Sequence, residues 1–226
     1  MSVSEHVGTE TQQVGAQQAD QSAHLPGSSV PDWWQAHVLP PVPAGYLDMV
    51  DQARGLLDSL TAAVPDAEAV AEVTAELRRL TDRLAATAVD ENHQLSGRMH
   101  DVPGRGQLLV PPASVEYLDN SRVECSVTFT RYYLGGHGAV HGGALPLLFD
   151  DILGRFAQTA GRPTSRTAYL RVDYRSITPV GRPLRLVAQI VSEQGRKKLV
   201  RATLKDGDTL CAEAEGLFVV LRPGQP

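Results

Sequence analysis

The chain has 226 residues, 42% of them hydrophobic and 21% charged, with a mean hydropathy of -0.18 and a net charge of -5. No run approaches the ~18 apolar residues of a membrane-spanning helix, and two cysteines, Cys125 and Cys211, are too few for a disulfide framework. The charge is uneven: residues 1–100 carry 14 acids and 5 bases, residues 101–226 carry 12 acids and 16 bases. Those bases are dispersed and lack the aromatic interleaving that reads nucleic acid, so no nucleic-acid partner is expected; a mildly cationic half suits a phosphorylated ligand. The start of the chain has neither a basic lead nor an apolar core, so no secretory signal is expected. Both cysteines sit in strand-like runs as small hydrophobes, and a reducing cytoplasm follows.

Residues 1–29 are mostly Gln, Ser, Thr, Gly and Ala, which bury too little to offset ordering entropy; disorder is expected there. Trp33 and Trp34, set among prolines, read as docking an extension onto a core. Residues 44–62 read as a helix with Leu47, Val50, Leu57 and Leu60 on one face. Residues 66–88 read as a second, with Val70, Val73, Leu77, Leu80 and Leu84 at alternating three- and four-residue steps. The short connection predicts an antiparallel helical hairpin, whose apolar stripe must face the rest of the chain or a partner subunit. Residues 90–107 read as a polar linker. Its His93 and His100, seven apart and without cysteine partners, make a poor metal site and are expected in solvent.

From Leu108 the chain reads β. Runs at 114–119 and 122–131 are split by Asp119, Asn120 and Ser121; runs at 167–178, 184–192, 197–205 and 209–221 follow a central helix. Alternation places Ala168, Leu170, Val172 and Tyr174 on one face of the first of these later strands. Strands, one helix and four more strands, with no helix between the last four, exclude a doubly wound parallel sheet. An antiparallel sheet wrapped around one helix, an α+β fold, is the economical solution. The chain divides into a tail (1–29), a helical extension (30–103) and the β-rich domain (104–226).

That central helix follows His141, Gly142 and Gly143. Leu145, Leu148, Phe149, Ile152, Leu153 and Phe156 form a stripe broad enough to be nearly engulfed, yet Asp150 and Asp151 interrupt it. A buried carboxylate is costly unless paired or used. The glycines allow close approach, and first-turn N–H groups lack intrahelical partners and carry the positive end of the macrodipole. An oxyanion-type donor thus stands about two turns from a carboxylate.

His-Gly-Gly followed by Asp on the same helix resembles the hotdog-fold acyl-CoA thioesterases of the PaaI-like group, and most closely thioesterase superfamily members four and five. The likeness spans about residues 104–223 and includes Pro111 and Pro112, residues 135–143, 167–174, 193–197 and 212–218. It implies a hotdog fold for that part of the chain, the helical hairpin lying outside the likeness, and hydrolysis of an acyl-CoA thioester with coenzyme A as part of the substrate and no separate cofactor or metal. It also implies a homodimer or dimer of dimers with the site at the subunit interface. Within it, Asp150 takes the family's carboxylate position, as general base or as nucleophile. The Gly143 N–H, helped by Gly142, is the oxyanion donor. Thr167 matches the hydroxyl that orients water and is expected from the facing subunit. His141 shapes the loop near the thioester. His137 is a candidate ligand contact, and Arg196, Lys197 and Lys198 are candidates for the coenzyme A phosphates. Asp151 is the rival carboxylate, expected as a structural or interface acceptor. Two departures stand out: many relatives have Asn where this chain has Gly135, and the nearer ones have Pro-Pro where it has Gly136 and His137. The alternative is a non-catalytic acyl-CoA-binding hotdog protein that uses the helical hairpin to bind a partner.

Overall fold

The computed structural model describes residues 40–222. The 1–29 tail and the Trp33–Trp34 pair lie outside them. Two helices come first, α1 (Tyr46–Ala62) and α2 (Ala67–Ala85). They are followed by β1 (Ala113–Leu118), β2 (Arg122–Thr128), a short ribbon of β3 (Leu134–Gly136) and β4 (Ala139–Val140), and helix α3 (Ala144–Phe156). Strands β5 (Ser165–Tyr174), β6 (Pro183–Gln194), β7 (Lys197–Asp206) and β8 (Thr209–Val220) complete the chain. The main sheet has the order β1-β2-β6-β7-β8-β5, with every neighbouring pair antiparallel. This is the hotdog architecture expected from the sequence.

Helix α3 lies on the inner face of that sheet. Leu145, Leu148, Phe149, Ile152, Leu153 and Phe156 are all buried, packed with Val127, Leu186, Leu204 and Phe218. Gly216 of β8 lets the helix come this close: a Cβ there would lie 3.4 Å from Leu153 Cδ2 and 2.7 Å from Phe218 Cε2. The outer face carries ion pairs instead, Arg201 to Glu215 at 2.7 Å and Arg175 to Glu213 at 2.7 Å.

Strand β5 ends at Tyr174, short of the expected 178, because the Arg175 and Ser176 N–H groups both turn onto the Cys211 carbonyl. It also carries a bulge. Thr167 pairs with Phe218 and Tyr169 with Leu217, so Ala168 is the extra residue. The bulge shifts side-chain parity. Strict alternation would turn Thr167 away from the helix; here it shares the inner face with Leu170 and Val172.

Helix α1 docks on the domain through buried Val50, through the Asp58 carboxylate accepting from the Tyr132 N–H at 2.7 Å, and through Arg54 donating to the Gln107 carbonyl at 2.8 Å. Helix α2 begins at Asp66, whose carboxylate caps the Ala69 N–H at 2.9 Å, and it buries no side chain. The 90–107 linker is less solvated than its polarity predicts. Arg155 donates to the His100 carbonyl at 2.6 Å, and burial with Arg155, Arg105 and Arg98 nearby pushes the His100 imidazole down to about 3. His93 is exposed and paired with Asp90, as expected of a loop histidine.

Candidate active site

The two adjacent carboxylates of α3 divide their work. One residue along a helix is a rotation of about 100°, so they leave it in different directions. Asp151 is the buried one, 8% exposed, and is gripped by Arg105 at 2.8 Å and Arg155 at 3.6 Å. The Arg105 contact is short but poorly aligned for a hydrogen bond, so it is a charge pair. Arg105 holds a left-handed φ of 55°, a conformation costly to a residue with a Cβ. Asp151 thus ties the linker to the helix, the structural role expected of it.

Asp150 is exposed on the single chain, whereas the apolar stripe around it suggests a buried cleft. Its Oδ1 accepts a hydrogen bond from Thr167 Oγ1 at 2.9 Å. Thr167 belongs to the same chain, so this pairing differs from the expectation that the facing subunit supplies the hydroxyl. The Ala168 bulge makes it possible by aiming Thr167 inward. The hydroxyl occupies one carboxylate oxygen and leaves the other open.

The glycine turn stands at the N-terminal end of α3, about two turns before Asp150. The Gly143 N–H donates to His141 Nδ1 at 3.0 Å, so the imidazole now holds the expected oxyanion donor, with Nδ1 as the acceptor. The Gly142 carbonyl accepts from Tyr174 Oη at 2.7 Å. In a trans peptide the C=O of one residue and the N–H of the next point in opposite directions. Tyr174 and His141 therefore hold the Gly142–Gly143 peptide from its two sides. The loop behind is fixed by the His141 N–H on the Tyr133 carbonyl at 2.7 Å and the Val140 N–H on the Thr178 carbonyl at 2.8 Å. Gly135 explains the first departure from the family pattern: a Cβ there would meet His141 Cα at 2.8 Å, so no asparagine fits this packing.

Tyr174 is the residue that sequence reasoning missed. Its signal was parity: it falls on the inner face with Leu170 and Val172, on the strand beside α3. His137 tops the β3–β4 turn, exposed, with φ 49°. The basic trio does not join the site. Lys198 is buried, with Nζ donating to the Ala157 carbonyl at 2.7 Å and the Pro163 carbonyl at 3.4 Å; burial lowers its pKa. It neutralises the C-terminal end of α3 and is no surface cation for a phosphate. Arg196 binds the Val220 carbonyl at 2.8 Å, and Lys197 is exposed beside it. All three sit at the end of α3 away from Gly143.

The Thioesterase superfamily profile matches residues 137–213. Acyl-coenzyme A thioesterase THEM4 of Rattus norvegicus is 32% identical over 107 residues, covering 46% of this chain and 46% of its own. The Bos taurus protein of the same name is 31% identical, covering 46% and 44%. The chain thus spans about half the length of these curated relatives. The crystal structure of a thioesterase superfamily protein superposes with a TM-score of 0.68 at 30% identity, over 80% of this chain and 97% of that one.

Proposed function

The chain belongs to the thioesterase superfamily, and from that premise we propose that it hydrolyses the thioester of an acyl-coenzyme A to a free carboxylate and coenzyme A. The observation that carries the proposal is the Thr167–Asp150 pair, which a strand bulge assembles on the helix that begins at the glycine turn.

Asp150 acts as general base through the oxygen that Thr167 leaves open. It takes a proton from water as the water oxygen bonds to the thioester carbon. The developing oxyanion replaces His141 Nδ1 as acceptor of the Gly143 N–H, an interaction that contributes about 2.7–4 kcal/mol in other acyl-transfer sites. The intermediate then breaks its C–S bond, and the sulfur leaves with the proton held by Asp150. Tyr174 keeps the Gly142–Gly143 peptide turned so that its N–H meets the oxygen. A hydrogen bond on the carbonyl of a peptide also strengthens its N–H as a donor.

His141, Gly142, Gly143, Asp150, Thr167 and Tyr174 are all exposed on the single chain. Asp150 lies seven positions after Gly143, about 10 Å along the helix axis. That is far for one carbonyl to touch both. In this reading a second copy covers the site and brings its own Asp150 toward the first copy's Gly143, so the working unit is a homodimer or a larger assembly. A panel of acyl-CoAs of increasing chain length, with free thiol read by a colorimetric reagent, tests the proposal. Thiol release above the uncatalysed rate is expected for at least one member; no release from any overturns hydrolysis in favour of a binding protein.

A further inference from the structure

Helix α2 has the sequence of a packed helix, yet it buries no side chain among the described residues. Val70, Val73, Leu77, Leu80 and Leu84 occupy the a and d positions of two heptads. Four of them remain open: Val70 at 49%, Val73 at 39%, Leu80 at 48% and Leu84 at 55%. A short helix in water draws most of its stability from burying such a stripe, and a contiguous apolar patch of this kind marks an interaction surface.

The charges beside the seam indicate what covers it. Glu76 and Arg83, both at g positions, flank it directly; on the outer face Glu68 and Glu72 lie in the first half, and Arg78 and Arg79 in the second. Such a polarity repels a parallel copy and complements an antiparallel one. We propose that α2 pairs with α2 of a second copy of this chain as an antiparallel two-stranded coil about a twofold axis.

The register follows from the charges. With Leu77 opposite the partner's Leu80, and Val73 opposite the partner's Leu84, the flanking Glu76 meets the partner's Arg83. The twofold axis repeats each contact, and Thr74 meets the partner's Thr81 on the other flank. Sliding one copy by a heptad brings Glu76 against its own symmetry mate, a like-charge contact. The interface is isologous and closes on itself. This inference does not depend on the hydrolase reading, because no residue of the seam belongs to the candidate site.

Site-directed crosslinking on the full chain tests it. Cys125 and Cys211 are buried, and burial pushes the Cys125 thiol up to about 12, so a short bismaleimide reacts at introduced cysteines. Glu76→Cys and Arg83→Cys chains, co-expressed with different tags, are expected to give a mixed covalent dimer. Either variant alone is expected to give at least tenfold less, since its two thiols are offset by seven residues. Adding Leu77→Glu to both chains is expected to cut the mixed product at least tenfold, with the β-rich domain still folded by circular dichroism, because α2 buries no side chain against it. No mixed product, equal product from Glu76→Cys alone, or product indifferent to Leu77→Glu would each overturn the pairing.

Discussion

Replacing Thr167 by valine removes one donor and keeps the β-branched shape. The structure gives that donor a single task, the 2.9 Å hydrogen bond to Asp150 Oδ1. Hydrogen bonds to charged groups contribute about 1.5–3 kcal/mol. Both residues are exposed on the single chain, so competing water holds the effect near the lower bound. About 1.5 kcal/mol corresponds to roughly a tenfold change in rate. Thr167→Val is therefore expected to lower kcat about tenfold in a thiol-release assay, with KM within twofold. The substrate touches Asp150 through water, so ground-state binding is little affected. Thr167→Ser restores the hydroxyl and is expected to recover most of the rate. Unchanged turnover in Thr167→Val, or a serine variant as slow as the valine one, would refute the reasoning from the bulge to the base.

Tyr174→Phe releases the Gly142 carbonyl from its 2.7 Å hydrogen bond. The Gly143 amide resonance is expected to shift in a nitrogen–proton spectrum, and kcat to fall by about tenfold at most, that is, by about 1.4 kcal/mol; an unmoved resonance would contradict the positioning role. Asp151→Ala leaves Arg105 and Arg155 without their anion. With the guanidiniums partly solvated, a loss of about 2–3 kcal/mol, below the range for fully buried pairs, is expected, read as a fall in Tm of roughly 4–12 °C. Retained stability with lost turnover would make Asp151 the base instead. The His100 imidazole is pushed down to about 3 in the fold from its ordinary 6.5. The unfolded chain therefore binds more protons between those values, and stability falls as pH drops through that window. Thermal melts at pH 7 and 4.5 are expected to differ less for His100→Gln than for the parent chain; an equal difference would remove His100 from the acid response.

Much of this molecule was legible from spacing. The stripe on α3 and the alternation in β6 to β8 each bury a regular face, and regular burial leaves a regular pattern. What failed to read depends on breaks in that regularity or on distant partners. The Ala168 bulge inserts one residue, and nothing in a run of strand-forming residues marks where parity slips. The division between Asp150 and Asp151 is set by Arg105, which lies 46 positions earlier in a loop and reaches the helix through a left-handed backbone. Lys198 looked like part of a solvated basic turn. Its parity with Val200, Ala202 and Leu204, the buried face of β7, was the available sign that it points inward.

Asp150→Asn keeps the size and removes the basic oxygen pair. Asp150 is exposed and, among the described residues, its hydrogen bond is from Thr167, so the thermal melt is expected to stay within about 2 °C, a change under ~1 kcal/mol. Release of coenzyme A from the best acyl-CoA of the panel is expected to fall by about 10²–10⁴-fold. Release by the asparagine variant at the parent rate would contradict the assignment of Asp150 as the base.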